Sequence, residues 1–316
     1  MKILITGDFC PIGRATNKSA EQVFGEETLE LINSADLAIT NLECPLTNSE
    51  QKISKSGPNL KVEPFSINLL KGAGFNFVTL ANNHILDYGC EGLIDTLDVL
   101  NSNEIGYVGA GKVDDDISTQ YFKFLKKTLA IINVCENEWS TEPNLGYKAY
   151  GLDEIEMYNQ ITKLKNEVDY ILVVHHGGNE FYNLPAPRLK KLFRFFVDIG
   201  ADAVINHHTH CISGMEIYKN SPIFYSLGNF VFDNQNYEST DWNFGLGIML
   251  NFNDAKLSYE TYVFEQFGKE AKVDLLGSKH EYHQKILDLN KKVQDDKKLD
   301  ESYKAFIKNK SKLYNS

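Results

Sequence analysis

ADAVINHHTHCISGMEIYKNSPIFYSLGNF, residues 201–230, runs an apolar stretch straight into His207, His208 and His210, three of the chain's 8 histidines. The run at 201–206 reads as a buried strand. A buried strand that closes on several imidazoles has an end that must be doing something, because buried polar groups need partners. The other apolar runs show what that is.

Four more strands are expected to end in polar groups. KILITGD (2–8) ends in Asp8, and DLAITNLE (36–43) ends in Asn41 and Glu43. FNFVTLAN (75–82) leads into Asn82, Asn83, His84 and, after a short gap, Asp87. DYILVVHHGG (169–178) carries His175 and His176. In an open α/β sheet, ligands sit at the carboxyl ends of the strands. Each of these ends delivers a carboxylate, an amide or an imidazole. Such a donor set suits Mn, Fe, Zn or Mg rather than a thiolate site, and it exceeds the needs of one tetrahedral ion. It fits two divalent ions sharing a carboxylate.

Between the strands lie helical patterns. SAEQVFGEETLELINSA (19–35) opens on Ser19, a good N-cap, and is expected as one helix. Short helices are expected at 64–74, closed by Gly74, and at 90–104, 152–166 and 185–200, the last opened by proline. Residues 45–63 are polar, with Pro and Gly, and read as a long loop. QYFKFLKKTLAIINVC (120–135) reads as a hairpin turning near Lys126 and Lys127. Strands follow over 215–233, 244–252 and 256–267. Alternating β and α units followed by antiparallel strands predict an α/β sandwich.

The bulk numbers agree with a soluble globular chain of 316 residues, 42% hydrophobic and 24% charged, with net charge -11. That balance speaks against nucleic acid or an anionic membrane as the main partner. No signal peptide or membrane-spanning stretch is seen, so a cytoplasmic location is expected. In that compartment the five cysteines are expected to be free thiols.

GDFCPIGR, NLECPLT, TLANNHILDYG, HHGGNEF, GADAVINHHTH and YSLGNFVFD together resemble, in that order, the motifs of the CapA (PGA_cap) family. That family is named for bacterial poly-γ-glutamate capsule synthesis and belongs to the calcineurin-like metallophosphatase superfamily. The resemblance spans about residues 1–250. It implies a four-layer αββα sandwich with a dinuclear metal centre. The metallophosphatase-like domain is expected over 1–278, and the Lys-, Asp- and Glu-rich tail over 279–316 reads as a helical extension.

Residue by residue, the resemblance implies Asp8, Glu43, Asn83, His176, His208 and His210 as metal ligands, with Glu43 bridging. It implies His84 as the group that stabilises the transition state or protonates the leaving group. Two positions depart from the superfamily pattern. The first motif is usually Asp-x-His, and Cys10 stands in its third position. That weakens one metal site or lets a nearby histidine such as His207 substitute. The bridging residue is Glu rather than Asp, a change the family shares.

Other residues keep two readings. Asp87 either orients His84 through its second ring nitrogen or caps the following helix. His175 and His176 cannot share a face of a strand, and His176 is the one expected in the site. His208 and His210 share a face of an extended chain, leaving His207 to point away. Asn41 and Asn82 are supporting residues. Glu180 contacts substrate, orients His176 or caps a turn. Asn229 lies at the site rim or forms a turn with Gly228.

The function implied is a metal-dependent hydrolase, a phosphoesterase using a metal-bound hydroxide, linked to capsule or poly-γ-glutamate synthesis, with a phosphoester or polymer substrate. Two alternatives remain open: a γ-glutamyl amide hydrolase or transferase on the same site, and a non-catalytic metal-binding module of capsule assembly.

Overall fold

Strand β1 (Lys2–Cys10) is buried from Ile3 to Cys10, which requires cover on both faces of its sheet. The computed structural model describes residues 1–237, 240–252, 257–268 and 271–313. Lys256, at the start of the strand expected over 256–267, and 314–316, at the end of the expected extension, lie outside them.

After β1 come α1 (Ala20–Val23), α2 (Glu26–Asn33), β2 (Leu37–Leu42), α3 (Ile67–Ala73), β3 (Phe77–Thr79), α4 (Gly89–Ser102) and β4 (Gly106–Val108). The middle of the chain holds β5 (Ala110–Lys112), β6 (Thr119–Phe124), β7 (Lys127–Cys135), β8 (Tyr147–Ala149), α5 (Glu154–Leu164), β9 (Tyr170–His176), α6 (Pro187–Ile199) and β10 (Ala203–His207). The chain continues through β11 (Met215–Tyr218), β12 (Ser221–Phe224), β13 (Asn229–Phe232), β14 (Phe244–Phe252), β15 (Leu257–Gln266), β16 (Val273–Leu275), α7 (Glu281–Gln294) and α8 (Asp296–Leu313).

Two sheets result. The first runs β16-β15-β14-β1-β2-β3-β4, with β13 also pairing β1; the second runs β11-β12-β10-β9-β7-β6. Ile3, Ile5 and Ile39 of the first sheet meet Ile131, Leu172 and Ile205 of the second in a central core. On the outer face of the first sheet, Ile32, Leu70 and Leu93 from α2, α3 and α4 pack against Leu4, Ala38 and Val78. On the outer face of the second, Met157, Phe193, Leu289 and Leu299 from α5 to α8 cover Val173 and Val204. This is the four-layer αββα sandwich expected from the sequence.

The strands β1, β2 and β3 are parallel, as are β7, β9 and β10. Their carboxyl ends therefore gather at one edge of the sandwich. At that edge the backbones of β1 and β13 come very close. A Cβ on Gly7 would lie 2.1 Å from the Gly228 carbonyl oxygen, so only glycine fits. The neighbouring Asp8 N–H donates to that oxygen at 2.9 Å, which fixes the Asp8 backbone.

Some local expectations are corrected. The helix expected over 19–35 is two helices. Phe24 is buried and stacked on Phe230, and Gly25 N–H donates to Val273 O at 3.1 Å. Gly25 and a tertiary contact thus override the helical periodicity. The third strand stops at Thr79, so Asn82 to Asp87 belong to a loop. The hairpin is found with Phe124 opposite Lys127. The loop over 45–63 contains no strand or helix beyond an isolated bridge between Leu46 and Val62. All five cysteines are free. Among the described residues no helix is long and apolar enough to cross a membrane.

Helices α7 and α8 pack on the rest of the sandwich. Lys190, buried on α6, donates to Val293 O and to Asp296 Oδ1, each at 2.5 Å. The Tyr182 ring packs tilted against Phe306 with centroids 4.6 Å apart.

Candidate metal centre

Asp8 and Glu43 are both fully buried at the ends of β1 and β2. Asp8 Oδ1 accepts from Asn41 Nδ2 at 2.8 Å, and Oδ2 accepts from the His208 backbone N–H at 3.2 Å. Glu43 has no such support: neither carboxylate oxygen has a hydrogen-bond partner. A buried carboxylate without donors is costly, and its charge is tolerated only beside a cation. Burial, and then the Asp8 charge, pushes the Glu43 carboxyl well above the usual carboxylate range.

Around Glu43 the imidazoles converge. His176 Nε2 lies 3.4 Å from Glu43 Oε1, 3.0 Å from Asn83 Oδ1 and 3.2 Å from His208 Nδ1. This meeting point holds more lone pairs than protons, since a neutral imidazole carries one N–H. A divalent cation satisfies all of them at once. Burial, and then neighbouring histidines, depresses the pKa of both His176 and His208, which keeps the rings neutral as ligation requires.

His210 closes a second group. Its Nδ1 lies 3.6 Å from Asp8 Oδ2, and its Nε2 lies 3.8 Å from Glu43 Oε1. Two donor sets follow, Glu43–His176–His208 and Asp8–Glu43–His210, with donor atoms within 4.8 Å of one another in each and Glu43 common to both. All five residues are buried. The donor chemistry fits divalent metal ions.

The histidine pair reaches the site by a route other than the expected one. Strand β10 ends at His207, and His208 and His210 have φ of 90° and 54°. They converge through a left-handed turn, not by sharing a strand face. Such backbone costs about 1–3 kcal/mol per residue, a strain typical of functional sites. His207 does point elsewhere: its Nε2 meets Thr6 O at 3.0 Å. It belongs to neither donor set. Cys10 is also outside both sets. It is buried, and burial and then Cys44 raise its thiol pKa.

His175 faces the opposite side of β9, bonded to Asn206 Oδ1 at 2.7 Å and edge-on to Phe193. Asn41 also approaches His176 Nδ1 at 3.2 Å. Asn82 ties the β3 loop to β2 by donating to Leu42 O at 2.8 Å and accepting the His84 N–H at 3.1 Å. Asn229 Oδ1 lies 2.9 Å from His210 Nδ1.

His84 and Asp87 form a pair, with Nδ1 2.7 Å from Asp87 Oδ2. No side chain caps the start of α4, so Asp87 faces His84 and not the helix. Burial lowers the His84 pKa, and Asp87 offsets part of this. A cleft of about 1120 Å³ opens beside His84, Asn83 and His208, and Glu180 lines it.

Several residues at this cleft were not singled out by sequence reading. Lys55, from the 45–63 loop, pairs with Asp87, and its side chain is almost fully buried. Glu138 and Lys310 also line the cleft. Burial, and then Glu136 and Glu180, raises the Glu138 pKa. The Trp242 ring lies over His210 with centroids 4.6 Å apart. No spacing in the sequence marks any of them, because each reaches the site from a loop or from a distant helix.

Residues 2–234 match the family described as "Bacterial capsule synthesis protein PGA_cap". The chain is 32% identical over 214 residues to the capsule biosynthesis protein CapA of Bacillus anthracis, covering 64% of this chain and 52% of that protein. It is 31% identical over 232 residues to the PGA biosynthesis protein CapA of Bacillus subtilis (strain 168), covering 70% of this chain and 61% of that one. The chain thus spans between about half and three-fifths of the length of these curated relatives. It is also similar to the crystal structure of a putative 5'-nucleotidase from Staphylococcus aureus in complex with alpha-ketoglutarate. That similarity is 18% in identity, with a TM-score of 0.49, over 93% of this chain and 58% of that one.

Proposed function

The chain belongs to the bacterial capsule synthesis family PGA_cap, and from that premise we propose that it is a metal-dependent phosphoester hydrolase serving capsule or poly-γ-glutamate synthesis. Asp8, Glu43 and His210 would hold one divalent ion, and Glu43, Asn83, His176 and His208 would hold a second. The observation that carries this reading is Glu43, buried between two donor sets with both oxygens lacking a hydrogen-bond partner. Bound divalent ions supply Lewis acidity toward phosphate oxygens and make water a nucleophile near neutral pH.

The chain's own residues do the rest. Asp87 accepts from His84 Nδ1, which fixes the ring and leaves Nε2 for the cleft. As the imidazolium, with Nδ1–H on Asp87 balancing its charge, His84 then donates its Nε2 proton to the leaving oxygen. Asn41 and Asn229 hold Asp8 and His210 in place.

The test is metal content by mass spectrometry on protein purified without chelator, beside His208→Ala/His210→Ala. A panel of phosphomonoesters, phosphodiesters and γ-glutamyl amides follows, with added Mn²⁺. Metal lost in the double variant, with phosphoester cleavage in the parent, supports the reading. Amide release alone replaces it with γ-glutamyl hydrolysis or transfer.

The position of Cys10 favours one second reading. It leaves the Asp8 set with three His/Asp/Glu donors among the described residues, which suits a metal-binding module of capsule assembly without turnover. Bound metal with no turnover on any of these substrates selects it.

A further inference from the structure

Asp87 holds more than His84. Its backbone carbonyl accepts from Ile53 N–H at 3.0 Å and from Asn59 Nδ2 at 3.2 Å. Its Oδ2 accepts from Leu60 N–H at 2.6 Å as well as facing His84 Nδ1 at 2.7 Å. Its Oδ1 is ion-paired with Lys55. The Lys55 ammonium also lies 3.1 Å from His84 Nδ1. An ammonium can only donate, so with the Nδ1 proton directed at Asp87 the bond that Lys55 makes is to the carboxylate. The segment 53–58 between these anchors lines the cleft on the side of His84.

One carboxylate thus sets both an imidazole and a wall of the cleft. A lysine whose side chain is 2% exposed is costly to bury, and its pairing with Asp87 is what makes that burial tolerable. We propose that Lys55 is a positioning residue: by binding Asp87 it seats the 53–60 segment against the cleft and holds Asp87 in register with His84. The role for His84 rests on the hydrolase reading above, whereas the seating of the loop does not. Loss of Lys55 therefore loosens a substrate wall and the leaving-group donor together.

The experiment compares the parent chain, residues 1–316, with Lys55→Met and Lys55→Arg. Hydrogen exchange by mass spectrometry follows the segment 53–60, which contains the Ile53 and Leu60 amides. Imidazole ¹⁵N spectra of the zinc-loaded chain follow His84. Exchange in the segment is expected to rise about tenfold or more in Lys55→Met, with the rest of the chain unchanged. The His84 Nδ1 signal is expected to shift in Lys55→Met, and Lys55→Arg is expected to recover most of both effects. On a phosphoester that the parent cleaves, Lys55→Met is expected to raise KM and lower kcat at unchanged metal content. Parental exchange and a parental His84 signal in Lys55→Met would overturn the proposal. A parent that cleaves no phosphoester overturns the hydrolase reading instead, and the exchange and imidazole data still decide the role of Lys55.

Discussion

Asn229 holds His210 on the side away from Glu43: Asn229 Oδ1 lies 2.9 Å from Nδ1, while Nε2 faces Glu43 Oε1 at 3.8 Å. Asn229 is itself fixed by donating to Trp242 O at 3.1 Å. A ring held this way presents Nε2 to the Asp8–Glu43 set. Asn229→Leu keeps the volume and removes the acceptor. It is expected to weaken binding of one metal ion by about 10–100-fold and leave the other unaffected. Calorimetric titration with Zn²⁺ or Mn²⁺ checks this, because the two ions then separate into a tight and a weak step.

Glu43 gives a prediction whose sign changes with metal. In the metal-free chain its pKa is raised in the folded state, by burial first and by Asp8 next. The folded state therefore holds the proton more tightly than the unfolded state. Stability is favoured below the unfolded value of about 4.3 and declines as pH rises toward the folded value. Glu43→Gln removes that decline. Metal-free Glu43→Gln is expected to have a higher Tm than metal-free parent at pH 7, with the difference vanishing near pH 4. With metal added the order reverses, because the variant has lost the shared ligand. Calorimetry at both pH values, with and without metal, reads all four cases.

His84 is outside both donor sets, so chemistry and metal binding separate there. His84→Ala is expected to lower kcat by about 10²–10⁴ while two-ion binding stays parental. Equal turnover in variant and parent would remove His84 from the mechanism.

Much of this site was legible because its residues end strands. Asp8, Glu43 and His176 follow apolar runs; strand alternation set His175 and His176 on opposite faces, and the match of HGGNE to the family motif chose His176. Where backbone leaves regular structure, legibility fails. His208 and His210 were placed together by an extended-chain argument, yet a left-handed turn brings them there. The single helix expected over 19–35 ignored Gly25, whose N–H pairs with Val273, nearly the whole chain away. Lys55 was invisible for the same reason. Nothing local distinguishes it from Lys52, and only the fold lays its loop on Asp87.

Cys10 tests whether the departure in the first motif matters through ligation. Its thiol sits in the outer core near Cys44, outside both donor sets. Cys10→Ala is expected to keep parental metal stoichiometry and to cost of order 1 kcal/mol in stability from lost burial. Mass spectrometry of the metal-loaded variant and a urea melt check the two halves. Loss of one ion would make Cys10 a ligand.

The extension over 279–316 was expected to be helical, and no chemistry was read in it. Helix α8 nevertheless brings Lys310 to the cleft, which His208, Glu138 and Glu142 also line. Residue 310 lies beyond the segment that matches the family, residues 2–234. The Lys310 ammonium is close enough to His208 to contribute to lowering its pKa, after burial and nearer histidines. A cation in a wall of carboxylates offers a contact to an anionic substrate without touching the metal ligands. Lys310→Ala is therefore expected to raise KM for a phosphoester bearing a second negative charge several-fold, by about 1 kcal/mol of binding. For a substrate lacking that charge, KM is expected to stay parental. Stability should move by no more than about 0.5 kcal/mol, since the side chain is partly exposed. Steady-state kinetics on the two substrates decide it. Equal KM shifts on both would show that Lys310 shapes the cleft without reading charge.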